Sequence, residues 1–563
     1  MTTSLLLPPG LALIAGGALL PLLGPRLRSV ALLLAPLVAL WLVWQVPDGT
    51  GLGVSFLGLE LAPVRGDRLS RLFGTVFAGM SFAGGLFALG QARTSELAAA
   101  LVYAGAAIGV CFAGDLITLF VCWELMAVAS TLVIWAGGPE ARAAGLRYAI
   151  VHLLGGVLLM AGIAGEVAAT GSALFGRMDL SSVPRGLMLT GVLVNAGAVP
   201  TSAWLPDAYP RASWSGMVFL SAFTTKTAVY VLLRGFPGTE LLVWVGLAMV
   251  FYGIVYAILE NDMRRILAYS IVNQVGFMVT GIGIGTDLAL NGAAAHAFTH
   301  IIYKALLLMS AGSVLFMTGK HKCTDLGGLF RTMPVTTICG IIGALSISSF
   351  PLTSGFVSKS MISEAAAESH LAIVWFLLAA ASAGVFLHAG IKFPWFVFFQ
   401  KDSGLRPADP PWNMQLAMAL CALLCVGLGV LPAPLYAMLP SDPAYEPYTA
   451  AHVVFQLQLL LFSGLAFFLM LGWLQRTLTI TLDADWLWRR FAWSVAHVAT
   501  ISVKPVSSAL GSWRRRARVT GRVYLRRYHG PTGTLGRTWP TGAMALGTIL
   551  LLGGYLLIFF TMG

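Results

Sequence analysis

The feature that most constrains this chain is a series of apolar runs, each about 17–25 residues long, the length a helix needs to cross about 30 Å of hydrocarbon. About sixteen such runs follow one another, from 4–23 at the start to 543–561 at the end. Strand-length alternation is rare, so a membrane β-barrel is not expected. Composition agrees: 58% of residues are hydrophobic and only 10% charged, far from the average soluble domain. A soluble multidomain protein, a disordered chain and a disulfide-stapled scaffold are all excluded. The six cysteines, Cys111, Cys122, Cys323, Cys339, Cys421 and Cys425, lie mostly inside the runs and form no zinc-type C-x-x-C pair. They read as small buried apolar residues.

The charge needs its own account. There are 35 Lys+Arg against 23 Asp+Glu, a net +12. Nucleic-acid binding is the first reading of a basic chain. Here, however, +9 of that charge sits in residues 477–541, a segment tethered between two spans. The aromatic residues Trp486, Trp488, Phe491 and Trp493 are interleaved with charges, as in an interfacial helix. A denser cluster follows at Arg514, Arg515, Arg516, Arg518, Arg522, Arg526 and Arg527. No nucleic acid is expected. The segment suits the anionic inner leaflet, or a strap against a neighbouring subunit.

Orientation follows from the loops. The first run has no Lys or Arg before it, so it reads as a spanning helix with its N-terminus outside rather than as a cleaved signal. With sixteen spans, the loops on the inner side then hold 25 Lys+Arg and the opposite loops 5. That asymmetry is the positive-inside pattern of a bacterial inner-membrane protein.

Charges inside spans cost about 2.5–3.5 kcal/mol each on insertion scales, so each is a functional candidate. The candidates are Glu124, Lys226, Lys304, Lys359 and Lys392, with His152 and Asp115 as weaker members. His296, His300 and Lys304 are four residues apart and form one helix stripe about 12 Å long. Imidazole both accepts and donates protons near neutrality, so this stripe can relay protons. The H-x-x-x-H pair could instead hold zinc, but no Glu follows the first histidine and no Cys or Asp is placed nearby, so no metal is expected. A purely structural role for the two histidines stays open. Four intramembrane lysines against one clear carboxylate argue against simple pairwise neutralisation. A buried amine whose carboxylate partner moves away can release a proton and later regain it. Lys392 and the nearby His388 lie close to a span end, where the lysine could snorkel.

Two spans are broken by proline, at Val199-Pro200-Thr201-Ser202-Ala203-Trp204-Leu205-Pro206 and at Phe350-Pro351-Leu352-Thr353-Ser354-Gly355-Phe356. Broken backbone at membrane depth is tolerated only inside protein or around a wet cavity. Paired interruptions point to inverted repeats. The expected fold is an all-α polytopic membrane protein of about 14–16 transmembrane helices, with two inverted five-helix repeats, each containing a broken helix, and a C-terminal amphipathic lateral segment. The expected divisions are N-terminal helices 1–92, a first repeat 93–236, a second repeat 237–400, additional helices 401–476, the basic cytoplasmic segment 477–541 and a final helix 542–563.

These residues bring out a likeness. The chain resembles the antiporter-like subunits shared by respiratory complex I and the multisubunit cation/proton antiporters, and within them the D-type subunit of the Na⁺/H⁺ antiporters. The resemblance covers roughly residues 70–400. It rests on Trp123-Glu124, Trp204-Leu205-Pro206-Asp207-Ala208, Thr225-Lys226-Thr227-Ala228-Val229-Tyr230, Arg264-Arg265-Ile266-Leu267-Ala268-Tyr269-Ser270, the His296/His300/Lys304 stripe and Ser354-Gly355-Phe356-Val357-Ser358-Lys359. It implies a proton path in which Glu124 is the switching carboxylate and Lys226 the carrier of the first half. His296, His300 and Lys304 would link the halves, and Lys359 would be the terminal carrier. Lys392, His388, His152, Asp115 and Asn195 are secondary candidates. A long lateral helix before a last span also occurs in one complex I subunit of this type. One departure is clear: many members carry a lysine five residues before the first proline of the broken helix, where this chain has Asn195.

The expected function is a proton-translocating subunit of a multisubunit Na⁺ or K⁺/proton antiporter. The alternatives are a pumping subunit of a redox-driven complex (complex I-like or a membrane-bound hydrogenase) and a non-conducting scaffold. This type of protein also serves hydration-coupled inorganic-carbon uptake. The chain carries no cofactor motif, so no cofactor and no enzymatic activity of its own are expected. The expected partners are other membrane subunits, anionic lipid at 477–541, protons and a monovalent cation.

Overall fold

The computed structural model describes residues 7–474, 483, 485–531, 533, 535, 536 and 538–562. Two compact units emerge, Met1–Ala484 and Asp485–Gly563. Among the described residues, fourteen helices are long and apolar enough to cross a membrane, and two shorter apolar helices, Pro9–Leu22 and Pro334–Ile347, join them. Among the described residues, fifteen of the sixteen apolar runs coincide with one of these helices, and the run 334–365 is divided between Pro334–Ile347 and Ser354–Glu368.

Local chemistry sets the helix ends. Side chains of Asp67, Asp115, Ser182, Asp262, Thr286 and Thr449 accept backbone N–H bonds at helix starts, which satisfies donors that have no partner within the helix. Gly171, Gly197, Gly285 and Gly319 close helices with left-handed backbone, a conformation glycine adopts without a Cβ clash. A short hairpin, Gly49–Phe56 paired antiparallel with Leu59–Gly66, lies between the second and third spans. The sequence reading does not anticipate it.

Among the described residues four spans are irregular, two more than the two breaks expected from the sequence. Val183–Ala196 stops at Gly197, and short turns of helix continue to Arg211. Pro334–Ile347 and Ser354–Glu368 flank an unwound stretch around Pro351. The span Gly216–Gly235 is interrupted at Phe223, next to Lys226. The span Ala372–Phe399 turns π-helical over Phe386–Lys392 and Trp395–Phe399.

Burial orders the bundle. The apolar windows of Gly216–Gly235 and Met263–Ile284 are 100% buried, that of Pro25–Gln45 only 22%. The first two form the centre, and Asp287–Thr318 packs beside them. Close approach depends on glycine: a Cβ on Gly276 would stand 2.6 Å from the Gly246 carbonyl oxygen, so Leu241–Leu259 and Met263–Ile284 meet backbone to backbone, as small-residue faces do in membranes.

The second unit contains a 45-residue helix, Asp485–His529, and the apolar helix Thr541–Met562. Arg514, Arg515, Arg516, Arg518, Arg522, Arg526 and Arg527 are exposed along the first of these. The side chains of Trp486, Trp488, Phe491 and Trp493, and the expected boundary at 476/477, lie outside the described residues.

One loop contact is pH-sensitive. Asp262 caps Met263–Ile284, and its Oδ2 lies 2.8 Å from His321 Nδ1. The hydrogen bond to Asp262 raises the His321 imidazole above its ordinary 6.5. Burial works to raise the Asp262 carboxyl, but the His321 bond and charge, with Arg264, outweigh it and hold the group below its ordinary 3.8. By linkage, the His321 contribution is complete below pH 6.5 and is lost as pH rises through its raised value. The Asp262 contribution is complete above pH 3.8 and is lost on acidification. Detergent melting curves taken between about pH 6 and pH 9 are expected to show the native chain losing stability relative to His321→Ala, with the two converging at the alkaline end.

Candidate functional site

The buried interior of the helix bundle holds a group of polar side chains. His296, His300 and Lys304 project from Asp287–Thr318, and none is exposed to solvent. His296 Nε2 lies 3.0 Å from Gln274 Oε1, and its Nδ1 lies 3.2 Å from Ser358 Oγ. Lys304 Nζ donates to Ser270 Oγ at 2.8 Å. His300 stands between them, 6.2 Å from the His296 ring and 5.2 Å from the Tyr303 ring. Both of its ring nitrogens are buried without a hydrogen-bond partner. Lys226 and Lys304 are within electrostatic reach of His300, and Lys226 and Lys359 within reach of His296. The stripe read from the sequence is therefore within electrostatic reach of both Lys226 and Lys359.

The break at Phe223 positions Lys226. Freed from helical partners, the Ser221 carbonyl accepts from Lys226 Nζ at 2.7 Å, and Thr225 Oγ1 accepts at 3.1 Å. Beside it, Thr224 Oγ1 meets Tyr103 at 2.5 Å and Tyr148 at 3.3 Å, and Tyr148 donates to Ser130 Oγ at 2.9 Å. One turn along from Tyr148, His152 Nδ1 lies 2.9 Å from Asn195 Oδ1, with the Trp204 ring 4.5 Å away. Asn195 thus joins the first broken helix to His152, while His152 Nε2 and Asn195 Nδ2 have no partner. Glu124 is half-buried, with a buried, unpartnered Oε1. It lies against Gly156, where a Cβ would come within 1.9 Å of that oxygen. Asp115 is a helix cap: it accepts from Thr118 N, Thr118 Oγ1 and Ala62 N.

At the other end, the second break exposes the Ile347 carbonyl, which lies 3.4 Å from Lys359 Nζ, and the ammonium also stands 4.8 Å over the Phe277 ring. His388 Nδ1 donates to the Gly384 carbonyl at 2.8 Å, its Nε2 is unpartnered, and Lys304, Lys359 and Lys392 surround it electrostatically. The π-helical turn carries Lys392 to the end of Leu241–Leu259, where its Nζ donates to the carbonyls of Ala257 (3.1 Å), Ile258 and Glu260 (2.6 Å). A cation there completes the carbonyl end of a helix. That contact gives Lys392 a structural part.

Among the described residues, no ion pair includes Glu124, Lys226, Lys304 or Lys359. The pairs lie instead at helix ends, for example Arg147–Asp207 at 2.7 Å and Arg234–Asp67 at 2.6 Å. Arg264 is a buried guanidinium that donates to the carbonyls of Pro210, Ala212 and Ser213, and so holds the end of the first broken helix. Glu96, also buried, accepts from Ser213 and Ser215. The sequence reading missed Glu96, which sits just before an apolar run. It also missed Gln274 and Asn273. Their signal is their place on Met263–Ile284, a helix with no exposed face, where every neutral polar residue must find a buried partner.

A lone unpaired amine beside hydroxyls, imidazoles and amides can move a proton in short steps. The described residues hold no cluster of ligands suited to a metal ion.

Residues 113–386 match the family model described as NADH:quinone oxidoreductase/Mrp antiporter, TM. An uncharacterized protein of Mycobacterium tuberculosis (strain CDC 1551 / Oshkosh) is 30% identical over 448 residues, which are 68% of this chain and 69% of that protein. A protein of Rhizobium meliloti (strain 1021), named as a probable K⁺/H⁺ antiporter component, is 30% identical over 59% of this chain but 36% of its own length. The chain thus spans only about a third of that larger relative. A chain in the structure of the Mrp complex from Dietzia sp. DQ12-45-1b has the same fold, with a TM-score of 0.74 and 22% identity over 99% of this chain and 66% of that one.

Proposed function

The chain belongs to the NADH:quinone oxidoreductase/Mrp antiporter transmembrane family, and on that premise we propose that it is a proton-translocating subunit of a multisubunit monovalent cation/proton antiporter. The observation that carries this reading is the buried group itself. Lys226, His300, His296, Lys304 and Lys359 are all buried, with the lysines within electrostatic reach of the two histidines, and among the described residues the three lysines form no ion pair with a carboxylate. An unpaired buried ammonium is costly, so such a group favours sites that change protonation. Asn195 and His152 make the first half an amide–imidazole link, and Glu124 is the carboxylate whose approach or withdrawal sets the charge near Lys226. The relative from Rhizobium meliloti, named for K⁺/H⁺ antiport, supports K⁺ as the exchanged ion. The protein works in a bacterial inner membrane with its N-terminus outside, beside other membrane subunits. The basic helix Asp485–His529 lies on anionic lipid or against a neighbour. A redox-driven pump of the complex I type uses the same group, and proton flux coupled to electron transfer rather than to a cation gradient separates the two.

Two measurements follow. In vesicles carrying the assembled complex, Glu124→Gln and Lys226→Ala are each expected to lower proton flux by roughly 100-fold, the scale of a lost proton-transfer group. Unchanged flux in both would leave a non-conducting scaffold. Gly156→Ala discriminates more finely. The added methyl meets only the tip of the flexible Glu124 side chain, and alanine favours a helix over glycine by up to ~1 kcal/mol. Assembly and melting temperature are expected to hold or rise, while flux falls because the carboxylate is displaced.

A further inference from the structure

A cavity of about 320 Å³ starts at Lys359 and reaches the surface beyond the C-terminal half of Ser354–Glu368. Its polar lining includes Ser349, Ser360, Ser363, Glu364, His452 and Gln456. Exposure grades along it, from Lys359 at 3% to the side chains of His452 at 26% and Glu364 at 34%. At the mouth, His452 Nε2 lies 2.9 Å from Glu364 Oε2. The other ring nitrogen, Nδ1, is buried and has no hydrogen-bond partner, and neither has Ser349 Oγ. The histidine is therefore a bridge, with one nitrogen held by a half-exposed carboxylate and the other buried and free. Thr449 caps the helix that carries it and accepts from the His452 backbone N–H. The Tyr445 ring stands 6.0 Å away.

We propose that Glu364 and His452 form the aqueous port of Lys359, the place where its proton is exchanged with water. The proposal rests on the conduction reading above and adds the residues at its boundary. A proton leaving Lys359 Nζ crosses the serine-lined cavity to His452 Nδ1, and the imidazolium gives up its Nε2 proton to the Glu364 carboxylate. Glu364 passes that proton to water, and the first tautomer returns when the ring swings its Nδ1–H to the mouth, where water takes that proton and gives one back to Nε2. Lys359 returns to the neutral amine, so one proton and one charge leave together. The reverse sequence loads Lys359 from the same side. By the loop-charge asymmetry this port opens opposite the basic loops, on the outer face. Ser360 and Glu364, and Lys359 and Ser363, are each four residues apart on one helix, which keeps the lining hydroxyls and the mouth carboxylate in line.

The test uses the assembled complex in vesicles. Glu364→Gln combined with His452→Ala is expected to cut proton flux about tenfold or more, with the amount of assembled complex unchanged. Imidazole added on the port side is expected to restore flux to His452→Ala, a rescue that a merely structural role would not give. Ser363→Cys, in an otherwise native chain, is expected to react with a membrane-impermeant thiol reagent added from outside, and the parent chain is not. An unlabelled Ser363→Cys would overturn the port and give the cavity to lipid or a neighbouring protein. Flux that survives the double substitution within about twofold, in vesicles where Lys359→Ala abolishes it, would overturn the port alone. An unaltered complex that carries no proton flux would overturn the conduction reading beneath it.

Discussion

Burying charge in hydrocarbon is the constraint on which the rest of this structure depends. A charged side chain at membrane depth is tolerated only inside protein, among polar partners, and the chain supplies that interior at some expense to its helices. Four spans are interrupted, and three interruptions lie beside a buried lysine. The break at Phe223 frees the Ser221 carbonyl for Lys226. The break around Pro351 frees the Ile347 carbonyl for Lys359. The π-helical turn brings Lys392 to three carbonyls that end another helix. Irregular backbone here is the means by which these amines find carbonyl partners.

The same logic separates support from transport. Lys392 is saturated by carbonyls at a helix end, and Arg264 is saturated by carbonyls of the first broken helix. Groups so bound hold the scaffold in place. His300, by contrast, has two buried nitrogens and no hydrogen-bond partner, and His388, His152 and Asn195 each leave one polar atom unmatched. An unmatched buried polar atom costs about 1–3 kcal/mol. His300 carries that cost at both ring nitrogens in the middle of the stripe, while Arg147–Asp207 and Arg234–Asp67 pair at helix ends.

Much of this was legible in the chain. The spans were, because length and apolarity alone decide whether a helix crosses hydrocarbon. The stripe His296/His300/Lys304 was, because spacing of four fixes a face. The proline breaks were, because proline removes a backbone donor. The break at Phe223 was not, since no residue type there forbids a helix and tertiary contacts decide; the π-helical turn has a signal that the sequence reading passed over, Pro394, which lies between Phe386–Lys392 and Trp395–Phe399 and removes a backbone donor. Gln274, Asn273 and Thr224 escaped because neutral polar residues hardly disturb an apolar run. Glu96 escaped because a carboxylate at a span edge resembles a loop residue, although Ser213 and Ser215 enclose it. The expected closeness of Glu124 to Lys226 is also a matter of tertiary placement. The carboxylate lies against Gly156 and enters no ion pair among the described residues.

The central claim is that the two halves communicate through the stripe, with His300 as the link. Its most direct test is proton flux through vesicles containing the assembled complex with His300→Leu, which keeps the volume and removes both ring nitrogens. The account predicts normal assembly and a loss of flux of about 100-fold. Flux within about twofold of the native complex would contradict it, because protons would then be crossing elsewhere.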